Sequence, residues 1–468
     1  MADWHTGEPD WLSVPEALDR ILAAVRPLPA EAVPLLDALG RTLVEPAASP
    51  IDQPPWDNSA MDGFAVRAAD IEGATDDAPA RLVVVDDIPA GGFPSRPIGP
   101  GEAARIMTGA PVPEGADSVI RVEHTDAWGD AAPAAGAIRD GTSADRSGGA
   151  RPGRSGHGVA DAGGVGSTIR VFSDADARRN IRRRGEDVRA GTHVLEAGRV
   201  VAPAAIGLLA ATGHAEVRVT RRPRIAILSN GDELVDLDRF DEVAAGRRIV
   251  NSNSYALAAA VTHAGGEPLP LGIAADDPAD LRERLAAGRD ADAIVTTAGA
   301  SVGQHDLMKD ALAGLGFELD FWRVRMRPGS PFSFGRLDGV PVFGLAGNPV
   351  SALVTFEVLV RPAIRRMLGR LDVHARTIRV RAAERIPGAG RLTHFPRARL
   401  EPDADGRLAA RLTGAQGSGI LSSVAAADAL LVVPAGVAAV ESGAEITAIP
   451  LRHGDDAAPD LGFLAEMT

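Results

Sequence analysis

The chain has 468 residues, a formal net charge of −14 and no cysteine. This length exceeds what one hydrophobic core supports, and it predicts about three domains. The lack of cysteine excludes disulfides, thiolate metal sites and a cysteine nucleophile. The negative charge argues against binding of bulk nucleic acid or a membrane surface, and no stretch approaches the apolar length of a membrane span. Because the first residues also have no signal-peptide pattern, we expect a cytoplasmic protein that binds small molecules.

The N-terminal part begins with an amphipathic pattern over residues 13–25, where Ser13 is suited to cap a helix. A second short helix is predicted over residues 35–43. Prolines within residues 45–55 then impose an extended course that marks a module boundary. The strand-like runs that follow predict a small β-rich module at about 61–178, nested in an elongated region at 13–222. Residues 127–166 contain almost no large apolar side chains, and we expect a disordered insertion there.

Three polar loops stand out in this region. Residues 54–67 place Asp57 and Asp62 in a dense turn before a strand, where functional side chains tend to lie. An Asx-turn that closes on its own backbone explains this pattern equally well. Residues 105–115 form another turn around Thr108. In residues 180–187 three arginines precede Glu186 and Asp187, a pattern that most often means a solvated charged turn.

From residue 224 onwards, buried strands alternate with helices. This alternation predicts a doubly wound α/β domain at 223–370, with a parallel sheet whose ligands bind beyond the carboxyl ends of the strands. The predicted strands cover 224–228, 268–273, 293–297 and 340–345, and the predicted helices cover 252–263, 278–287, 306–315 and 349–368.

Loops at three of these strand ends carry the candidate site. In residues 294–309 a strand, a loop of small residues and a helix follow each other, which is typical of an anion cradle at a helix N-terminus. Ser301 can hydrogen bond an anion there, and Asp306 can either bind a divalent cation or cap the helix. The other two loops are 229–233 and 345–351. In the latter, Asn348 and Pro349 are suited to begin a helix that offers a second anion site.

An arginine-rich segment separates the last two loops. Its alternation predicts one strand face with Arg323, Arg325 and Arg327, whose planar guanidinium groups suit phosphate or a tetrahedral metal oxyanion. Beyond it, short strand-like runs separated by Gly, Pro and Asp predict a small β-barrel-like domain at 375–452.

Six of these motifs occur together in the order of one known family. They include Pro-Pro-Trp-Asp-Asn-Ser-Ala-Met-Asp-Gly at 54–63, Asn-Ile-Arg-Arg-Arg-Gly-Glu-Asp at 180–187 and Ala-Gly-Asn-Pro-Val-Ser at 346–351. The others are 105–117, 229–234 and Gly-Ala-Ser-Val-Gly at 299–303. The chain closely resembles the molybdopterin molybdenumtransferases, the MoeA family, which includes the C-terminal domain of gephyrin.

The resemblance implies an enzyme of molybdenum cofactor biosynthesis. Such an enzyme inserts molybdenum from molybdate into adenylylated molybdopterin and releases AMP, with Mg²⁺ as the divalent cation. It also implies a homodimer, whose site lies between the α/β domain of one subunit and the N-terminal region of the other, and the molybdopterin adenylyltransferase as a further partner. The missing cysteines fit this activity, because the pterin supplies the sulfur ligands of molybdenum.

Carried over by position, the resemblance assigns roles to individual residues. Catalysis falls to Asp62, Thr108, Asp187, Glu233 and Asp306. The metal ligands are Asp306, Glu233 and Asp276. Binding of substrate and oxyanion falls to Ser301, Gly303, Asp276, Arg323, Arg327, Ser330, Asn348, Pro349, Ser351, Arg397 and Ser418.

The chain departs from the family pattern at four positions. Ala298 replaces the first glycine of a Gly-Gly pair, and Gln304 occupies a position that is commonly acidic. Ser330 stands where lysine is common, and Ala346 replaces a proline. The loss of a cation at Ser330 bears on oxyanion affinity more than on the fold.

Three alternatives remain beside this assignment. A scaffold protein without catalysis has no use for several carboxylates near an anion site, so the acids argue against it. A nucleotide hydrolase built on the α/β domain leaves the N-terminal motifs and the terminal barrel unexplained. A paralogue that uses tungstate stays open.

Overall fold

The computed structural model describes residues 11–127, 163–297 and 307–451. Most of the predicted insertion and the loop with Ser301, Gly303 and Asp306 lie outside these residues. The chain separates into two compact units. Unit 1 comprises Met1–Pro46, Glu196–Ile206 and Ala215–Thr468, and unit 2 comprises Ala47–Leu195 and Gly207–His214.

The helices fall close to their predicted places. They are α1 (Val14–Ala24), α2 (Pro203–Ala211), α3 (Phe240–Ala244), α4 (Ser252–Ala264), α5 (Pro278–Ala287), α6 (Leu307–Gly314), α7 (Pro349–Thr355), α8 (Arg361–Met367) and α9 (Leu421–Ala425). A π-helical turn, Phe356–Val360, joins α7 to α8. Helix α1 begins at a capping box, in which the Ser13 backbone N–H donates to the Glu16 carboxylate over 2.7 Å.

The predicted helix at 35–43 is wrong. Only one 3₁₀ turn, Leu35–Ala38, forms there. The preceding residues form strand β1 (Ala30–Pro34), which pairs antiparallel with residues Glu216–Thr220 from a distant part of the chain. After the 3₁₀ turn, the Gly40 and Leu43 backbone N–H groups donate to the carbonyls of Val201 and Arg199 over 2.9 and 3.1 Å, so distant residues take the bonds that a helix would form.

Unit 2 is built on a five-stranded sheet with the order β7-β4-β6-β5-β8. Its core contains Phe64, Leu82, Ile120 and Val171. The β-rich character predicted for this region is therefore confirmed. The strands of the unit are β2 (Ala47–Ala48), β3 (Asn58–Ser59), β4 (Gly63–Val66), β5 (Ala80–Ile88), β6 (Glu102–Ile106), β7 (Ser118–Arg121), β8 (Thr168–Val171), β9 (Ile181–Arg182) and β10 (His193–Leu195).

Unit 1 contains a six-stranded sheet with the order β15-β12-β16-β20-β19-β17. Strands β15, β12, β16 and β20 are parallel, whereas β19 runs antiparallel to both of its neighbours. The strands of this region are β11 (Glu216–Thr220), β12 (Arg224–Asn230), β13 (Leu234–Val235), β14 (Ile249–Val250), β15 (Glu267–Ala274), β16 (Ala293–Thr297), β17 (Glu318–Trp322), β18 (Met326–Arg327), β19 (Ser333–Leu337) and β20 (Val340–Leu345).

The sheet departs from the predicted parallel arrangement towards one edge, where β19 forms a hairpin with β20. Its two-residue turn is Asp338-Gly339, with φ values of 51° and 84°. Positive φ at both central residues is the type I′ geometry that matches the twist of an antiparallel pair. The Asp-Gly signal for this hairpin is present in the sequence.

Helices cover both faces of the sheet. Along β12, Ile225 and Ile227 pack in one core with α1, α4, α7 and α8, and Ala226 and Leu228 pack in the other with α5 and α6. Successive side chains of a strand point to opposite faces, so alternate residues serve alternate cores. The doubly wound arrangement is thereby confirmed.

The prediction of one strand face with three arginines is wrong. Strand β17 ends at Trp322, and Arg323 adopts φ 73°, a left-handed conformation that breaks the alternation. The Arg323 guanidinium lies over the Trp322 ring at 4.1 Å, Arg325 pairs with Glu16 at 3.5 Å, and Arg327 belongs to β18. Arg323 thus stacks on an aromatic ring and Arg325 forms an ion pair, so the three arginine side chains do not share one strand face.

The C-terminal part of unit 1 is a closed barrel with the order β21-β25-β24-β26-β28, which confirms the barrel prediction. Its strands and the short pairs beside them are β21 (Ile378–Ala382), β22 (Ile386–Pro387), β23 (Thr393–His394), β24 (Arg397–Pro402), β25 (Leu408–Leu412), β26 (Ala429–Val432), β27 (Ala439–Val440) and β28 (Glu445–Pro450). Strand β18 pairs with β23, so the arginine segment is joined to the barrel. The residue limits predicted for the individual domains stay a prediction.

Within the described ranges, no helix is both long and apolar enough to cross a membrane.

The replacement Phe343→Ala should lower the free energy of unfolding of unit 1 by about 3–5 kcal/mol. Phe343 is 1% exposed, and its ring centroid lies 5.1 Å from that of Phe334. Urea denaturation of both variants measures the effect. The control, Phe240→Ala, removes a ring that is 55% exposed, and it should change stability by no more than about 0.5 kcal/mol. Equal losses in both variants would contradict the assigned core.

Candidate functional site

The first part of the site is a buried hydroxyl network where β12 and β16 end. The Ser229 hydroxyl group lies 2.7 Å from the Thr297 hydroxyl and donates to the Asn251 side-chain carbonyl over 2.9 Å. All three side chains are buried. Buried polar groups that satisfy each other hold their strand ends in fixed positions. This network fixes the edge of the sheet from which the loop 298–306 departs.

Acidic and amide side chains occupy the neighbouring strand ends. Asn230 donates its amide to the Asp276 carboxylate over 2.7 Å, and the Asp276 backbone N–H donates to Asp232 over 3.1 Å. Gly231 has φ 144°, and a Cβ there would lie 2.4 Å from the Glu233 carboxylate. The positive φ favours glycine at this turn, because residues with a Cβ rarely adopt it. The loops after β12 and β15 are therefore joined, with their carboxylates exposed to solvent.

The loop between β20 and α7 connects this edge to the barrel. On one side, Asn253 donates its side-chain amide to the Gly347 carbonyl over 2.7 Å. On the other side, the Val350 backbone N–H donates to the Ser418 carbonyl over 3.1 Å. Pro349 is the first residue of α7 after Asn348, as predicted, although the Asn348 side chain makes no capping hydrogen bond. The loop is held from both sides at the start of a helix.

Arg397 is fully buried, and its side chain shapes the loop that carries Ser418. Its guanidinium group donates to the Ser423 hydroxyl over 3.1 Å and to the carbonyls of Gln416 and Gly417 over 3.3 and 3.1 Å. A further bond reaches the Ala415 carbonyl. Burial lowers the pKa of Arg397, although guanidinium remains charged at neutral pH. Arg397 thus places a fixed positive charge behind this loop.

His394 pairs with Arg327 between β18 and β23, and it precedes Arg397 by three residues in the chain. Its ring Nδ1 lies 2.9 Å from the Pro387 carbonyl, which fixes the proton on that nitrogen. Burial lowers the pKa of His394, and the charges of Arg327 and Arg397 lower it further, while the bond to Pro387 acts in the opposite direction. Arg327 is exposed, and its carbonyl accepts from the Phe395 backbone N–H over 2.8 Å. The region is positively charged, with its histidine neutral near pH 7.

Unit 2 brings its own three motifs together. Strand β3 pairs with β9, and the Gly109 backbone N–H donates to the Ser59 carbonyl over 2.8 Å. Asp57 accepts from the Arg183 side chain and the Arg184 backbone N–H at 2.6 and 2.7 Å. Residues 183 and 184 therefore hold the turn at 54–67 in place through Asp57. The segment is more than the solvated charged turn that its sequence suggested.

Asp62 and Thr108 form a hydrogen-bonded pair within this group. The Asp62 carboxylate accepts from both the backbone N–H and the hydroxyl of Thr108, each at 2.7 Å. The backbone donor is the larger cause and the hydroxyl the second in lowering the pKa of Asp62. Both residues are exposed, as is Asp187. The carboxylate of Asp62 is thus held ionised and in a fixed orientation at the surface of unit 2.

The structure distributes the predicted site residues over the two units. Unit 2 contains Asp62, Thr108 and Asp187. Unit 1 contains Glu233, Asp276, Arg323, Arg327, Ser330, Asn348, Pro349, Ser351, Arg397 and Ser418. Within unit 1, Arg327 pairs with His394 between β18 and β23, and the Val350 backbone N–H at the start of α7 donates to the Ser418 carbonyl. Arg323 is withdrawn by stacking on tryptophan, and Ser330 donates its hydroxyl to the Met326 carbonyl.

Three family models match the chain along its length. The model for the MoeA N-terminal region (domain I and II) matches residues 12–213, that for a probable molybdopterin binding domain matches residues 226–366, and that for the MoeA C-terminal region (domain IV) matches residues 379–451. Together these ranges cover most of the described residues.

Comparisons with individual proteins indicate the same family as these three models. Molybdopterin molybdenumtransferase 2 of Mycobacterium tuberculosis is 37% identical over 436 residues, which cover 91% of this chain and 95% of the relative. The chain belongs to the MoeA family. Molybdopterin molybdenumtransferase of Bacillus subtilis is 33% identical over 94% of each chain. The crystal structure of the molybdopterin biosynthesis moeA protein from Pyrococcus horikoshii superposes with a TM-score of 0.75 at 27% identity, covering 94% of this chain and all of that one.

The carboxylates suit the hard cation that the MoeA family implies, but they do not form a complete cage. Mg²⁺ prefers oxygen ligands and is commonly held by one or two carboxylates together with substrate phosphates. Glu233 and Asp276 supply such oxygens at neighbouring strand ends. Among the residues that the structure describes, no three His, Asp or Glu side chains are grouped as metal ligands. The donor set therefore fits a cation shared with a phosphate-bearing substrate.

Several residues that position the site were missed at the sequence level. Asn251 and Asn253 lie at the start of α4, and His394 and Gln416 lie in the barrel region. The run Asn-Ser-Asn-Ser at 251–254 was a signal for capping, because Asn251 accepts from the Ser254 backbone N–H. His394 and Gln416 had no local signal, since their partners lie on other strands.

Acid should destabilise unit 1 through His394. Its folded pKa is lowered, whereas the unfolded value is about 6.5, so the unfolded chain binds the proton more readily and stability falls as pH drops below about 6.5. The replacement His394→Asn should reduce this pH dependence, measured by urea denaturation at several pH values. NMR titration of the His394 ring, assigned with the variant, provides a direct check. A ring that titrates at or above pH 6.5 would contradict the inferred environment.

Proposed function

We propose that this protein inserts molybdenum from molybdate into adenylylated molybdopterin and releases AMP, in the biosynthesis of the molybdenum cofactor. The observation that carries the proposal is the loop between β20 and α7, which is bonded to the sheet edge through Gly347 and to the barrel through Val350. This loop links the sheet edge, where neighbouring strand ends carry exposed carboxylates, to the barrel region that contains Arg397. Such a site can bind a phosphate and a divalent oxyanion together.

Each side of this loop supports one part of the reaction. The carboxylates of Glu233 and Asp276 would hold Mg²⁺ together with Asp306, and the cation would neutralise charge on the phosphate that leaves with AMP. Arg327 would attract molybdate, since its side chain is exposed and both it and the buried Arg397 add positive charge around His394. We also propose catalytic roles for Asp62, Thr108 and Asp187, because these residues occupy functional positions in the family motifs.

The names of the relatives support this function over a scaffold. The relatives at 31–37% identity are named molybdopterin molybdenumtransferases, and they are matched over most of their length. The homodimer, the adenylyltransferase partner and the cytoplasmic location that we expect stay predictions. The assay described below tests for a preference for tungstate by comparing the two oxyanions.

The test is a single assay with purified protein, adenylylated molybdopterin, Mg²⁺ and molybdate, in which AMP and metal-loaded cofactor are measured together. Asp306→Ala and Asp276→Asn should each lower the rate by at least about 100-fold, because each removes a carboxylate from the cation and phosphate region. The control, Asp290→Asn, changes an exposed carboxylate before the amino end of β16 and should keep the full rate.

The outcomes separate the alternatives. No AMP above background from the unaltered protein would favour a scaffold and contradict the proposed activity. Insertion at near the full rate in Asp306→Ala would remove this residue from the site. Faster insertion with tungstate than with molybdate would assign the protein to tungsten.

Arg327→Gln should raise the molybdate concentration for half-maximal insertion by about tenfold, with a smaller change in the rate at saturation, because a charge-assisted bond to the oxyanion is lost. Arg325→Gln is the matched control, since Arg325 is also exposed but pairs with Glu16 at 3.5 Å. Titration with molybdate under the assay conditions above gives both values. Similar shifts in the two variants would show that general charge, and not a site at Arg327, is responsible.

A further inference from the structure

A second basic region lies away from the strand-end loops, in a cleft of unit 1. We call it the arginine cleft and define it by Arg199, Arg365, Arg370, Leu371 and Arg376. Its volume is about 490 Å³, within the range of sites that enclose small molecules. No residue predicted for the molybdenum site belongs to it.

The cleft lies at the opposite end of the sheet from the candidate site. Helix α7 begins at the carboxyl end of β20, and the helical run to the end of α8 at Met367 extends for about 28 Å. The Nη2 atom of Arg370 would lie 3.4 Å from a Cβ at Gly265, two residues before the first residue of β15. The cleft therefore opens near the amino ends of the parallel strands.

Close packing of two distant segments forms its wall. The Leu371 backbone N–H donates to the Gly198 carbonyl over 3.4 Å. Gly198 has φ 78°, and a Cβ there would lie 2.6 Å from Leu371 Cγ. Glycine is required both by the left-handed backbone and by the contact. The wall is thus a specific feature of the fold, since a side chain at Gly198 would push the segments apart.

The four guanidinium groups of the cleft have no ion pair with an acidic side chain among the residues that the structure describes. Arg365 donates through one nitrogen, Nη1, to the carbonyls of His374 and Val373 over 2.9 and 3.4 Å. The Nε of Arg370 is buried and has no hydrogen-bond acceptor within the described part of the chain. The positive charge of Arg370 therefore has no acidic partner and no acceptor at Nε among the described residues.

The charges around the cleft also favour the binding of an anion. Burial, followed by repulsion from neighbouring arginines, lowers the pKa of both Arg365 and Arg370. Glu357 acts in the opposite direction on Arg365, but it is paired with Arg361 at 2.7 Å. Asp372 contributes one exposed carboxylate to the lining. In a chain with a net charge of −14, a cleft with four uncompensated arginines is a local site for an anion.

An apolar surface adjoins the charges. Leu371 is 68% exposed and Val200 is 39% exposed, and Pro450 completes this side of the cleft. A bare phosphate would leave this surface uncovered. A ligand that carries both several negative charges and a ring would cover it, and a guanidinium plane can also stack on such a ring.

We propose that the arginine cleft binds a phosphorylated small molecule of nucleotide size, with its phosphates on the arginines and its ring against Leu371. This site goes beyond the proposed molybdenum insertion and does not depend on it. Its position at the far end of α8 separates it from the candidate catalytic loops.

The test is titration calorimetry at low salt with ATP, pyrophosphate and adenosine as probes. ATP should bind more tightly than pyrophosphate, because only ATP covers the apolar wall, and adenosine should show no binding. The double variant Arg199→Gln/Arg376→Gln should weaken ATP binding by at least about tenfold. Both side chains are exposed, so the fold should be retained. The matched control Arg366→Gln/Arg407→Gln removes two exposed charges from unit 1 outside the cleft and should bind ATP normally.

Four results would overturn the proposal. One is no binding of ATP at low salt, and another is equal weakening in the two double variants. A third is binding of poly-glutamate as tightly as ATP, which would assign the cleft to an acidic protein segment. The fourth is ATP binding that is lost in Arg327→Gln and kept in Arg199→Gln/Arg376→Gln, because ATP would then occupy the molybdenum site. A negative AMP-release assay would not contradict this proposal, since calorimetry measures ligand binding independently of molybdenum insertion.

Discussion

The candidate site of unit 1 depends on two hydrogen bonds that hold one loop from opposite sides. Asn253 donates to Gly347, and Val350 donates to Ser418. The first bond fixes the loop to the edge of the sheet, and the second fixes it to the barrel region. Together with the packing of Val350, Ala352 and Val354 in the core, they fix the start of α7 relative to the sheet edge and the barrel region.

The two sides of this loop differ in how their charges are held. On the sheet side, the carboxylates of Asp232, Glu233 and Asp276 are exposed, and hydrogen bonds from Asn230 and from the Asp276 backbone N–H orient those of Asp276 and Asp232. On the barrel side, Arg397 is buried, and its donors are used by the loop that it supports. A buried charge in a fixed position attracts an anion without rearranging, whereas exposed carboxylates stay free to exchange ligands. This division fits a site that binds a phosphate and an oxyanion side by side.

The arginine cleft shows a different use of the same residue type. Arg397 has carbonyl and hydroxyl acceptors around it, but Arg370 has a buried Nε without an acceptor in the described structure. The fold thus satisfies the donors of Arg397 internally and places the partly buried Arg370 in the lining of a cleft without an acidic partner among the described residues. The distinction is visible only when the partners of each nitrogen are known.

Sequence by itself determined the alternation of strands and helices, the terminal barrel, the β-rich part of unit 2 and the family, because these rest on local periodicity and on ordered motifs. It could not place Arg323, Arg325 and Arg327, because a left-handed residue at Arg323 interrupts the alternation on which the prediction relied. Nor could it show that Ala30–Pro34 is a strand, or that His394 pairs with Arg327, since these depend on partners far away in the chain. Tertiary structure decided which charges are satisfied and which are open, because burial and hydrogen-bond partners are set by packing and not by local sequence.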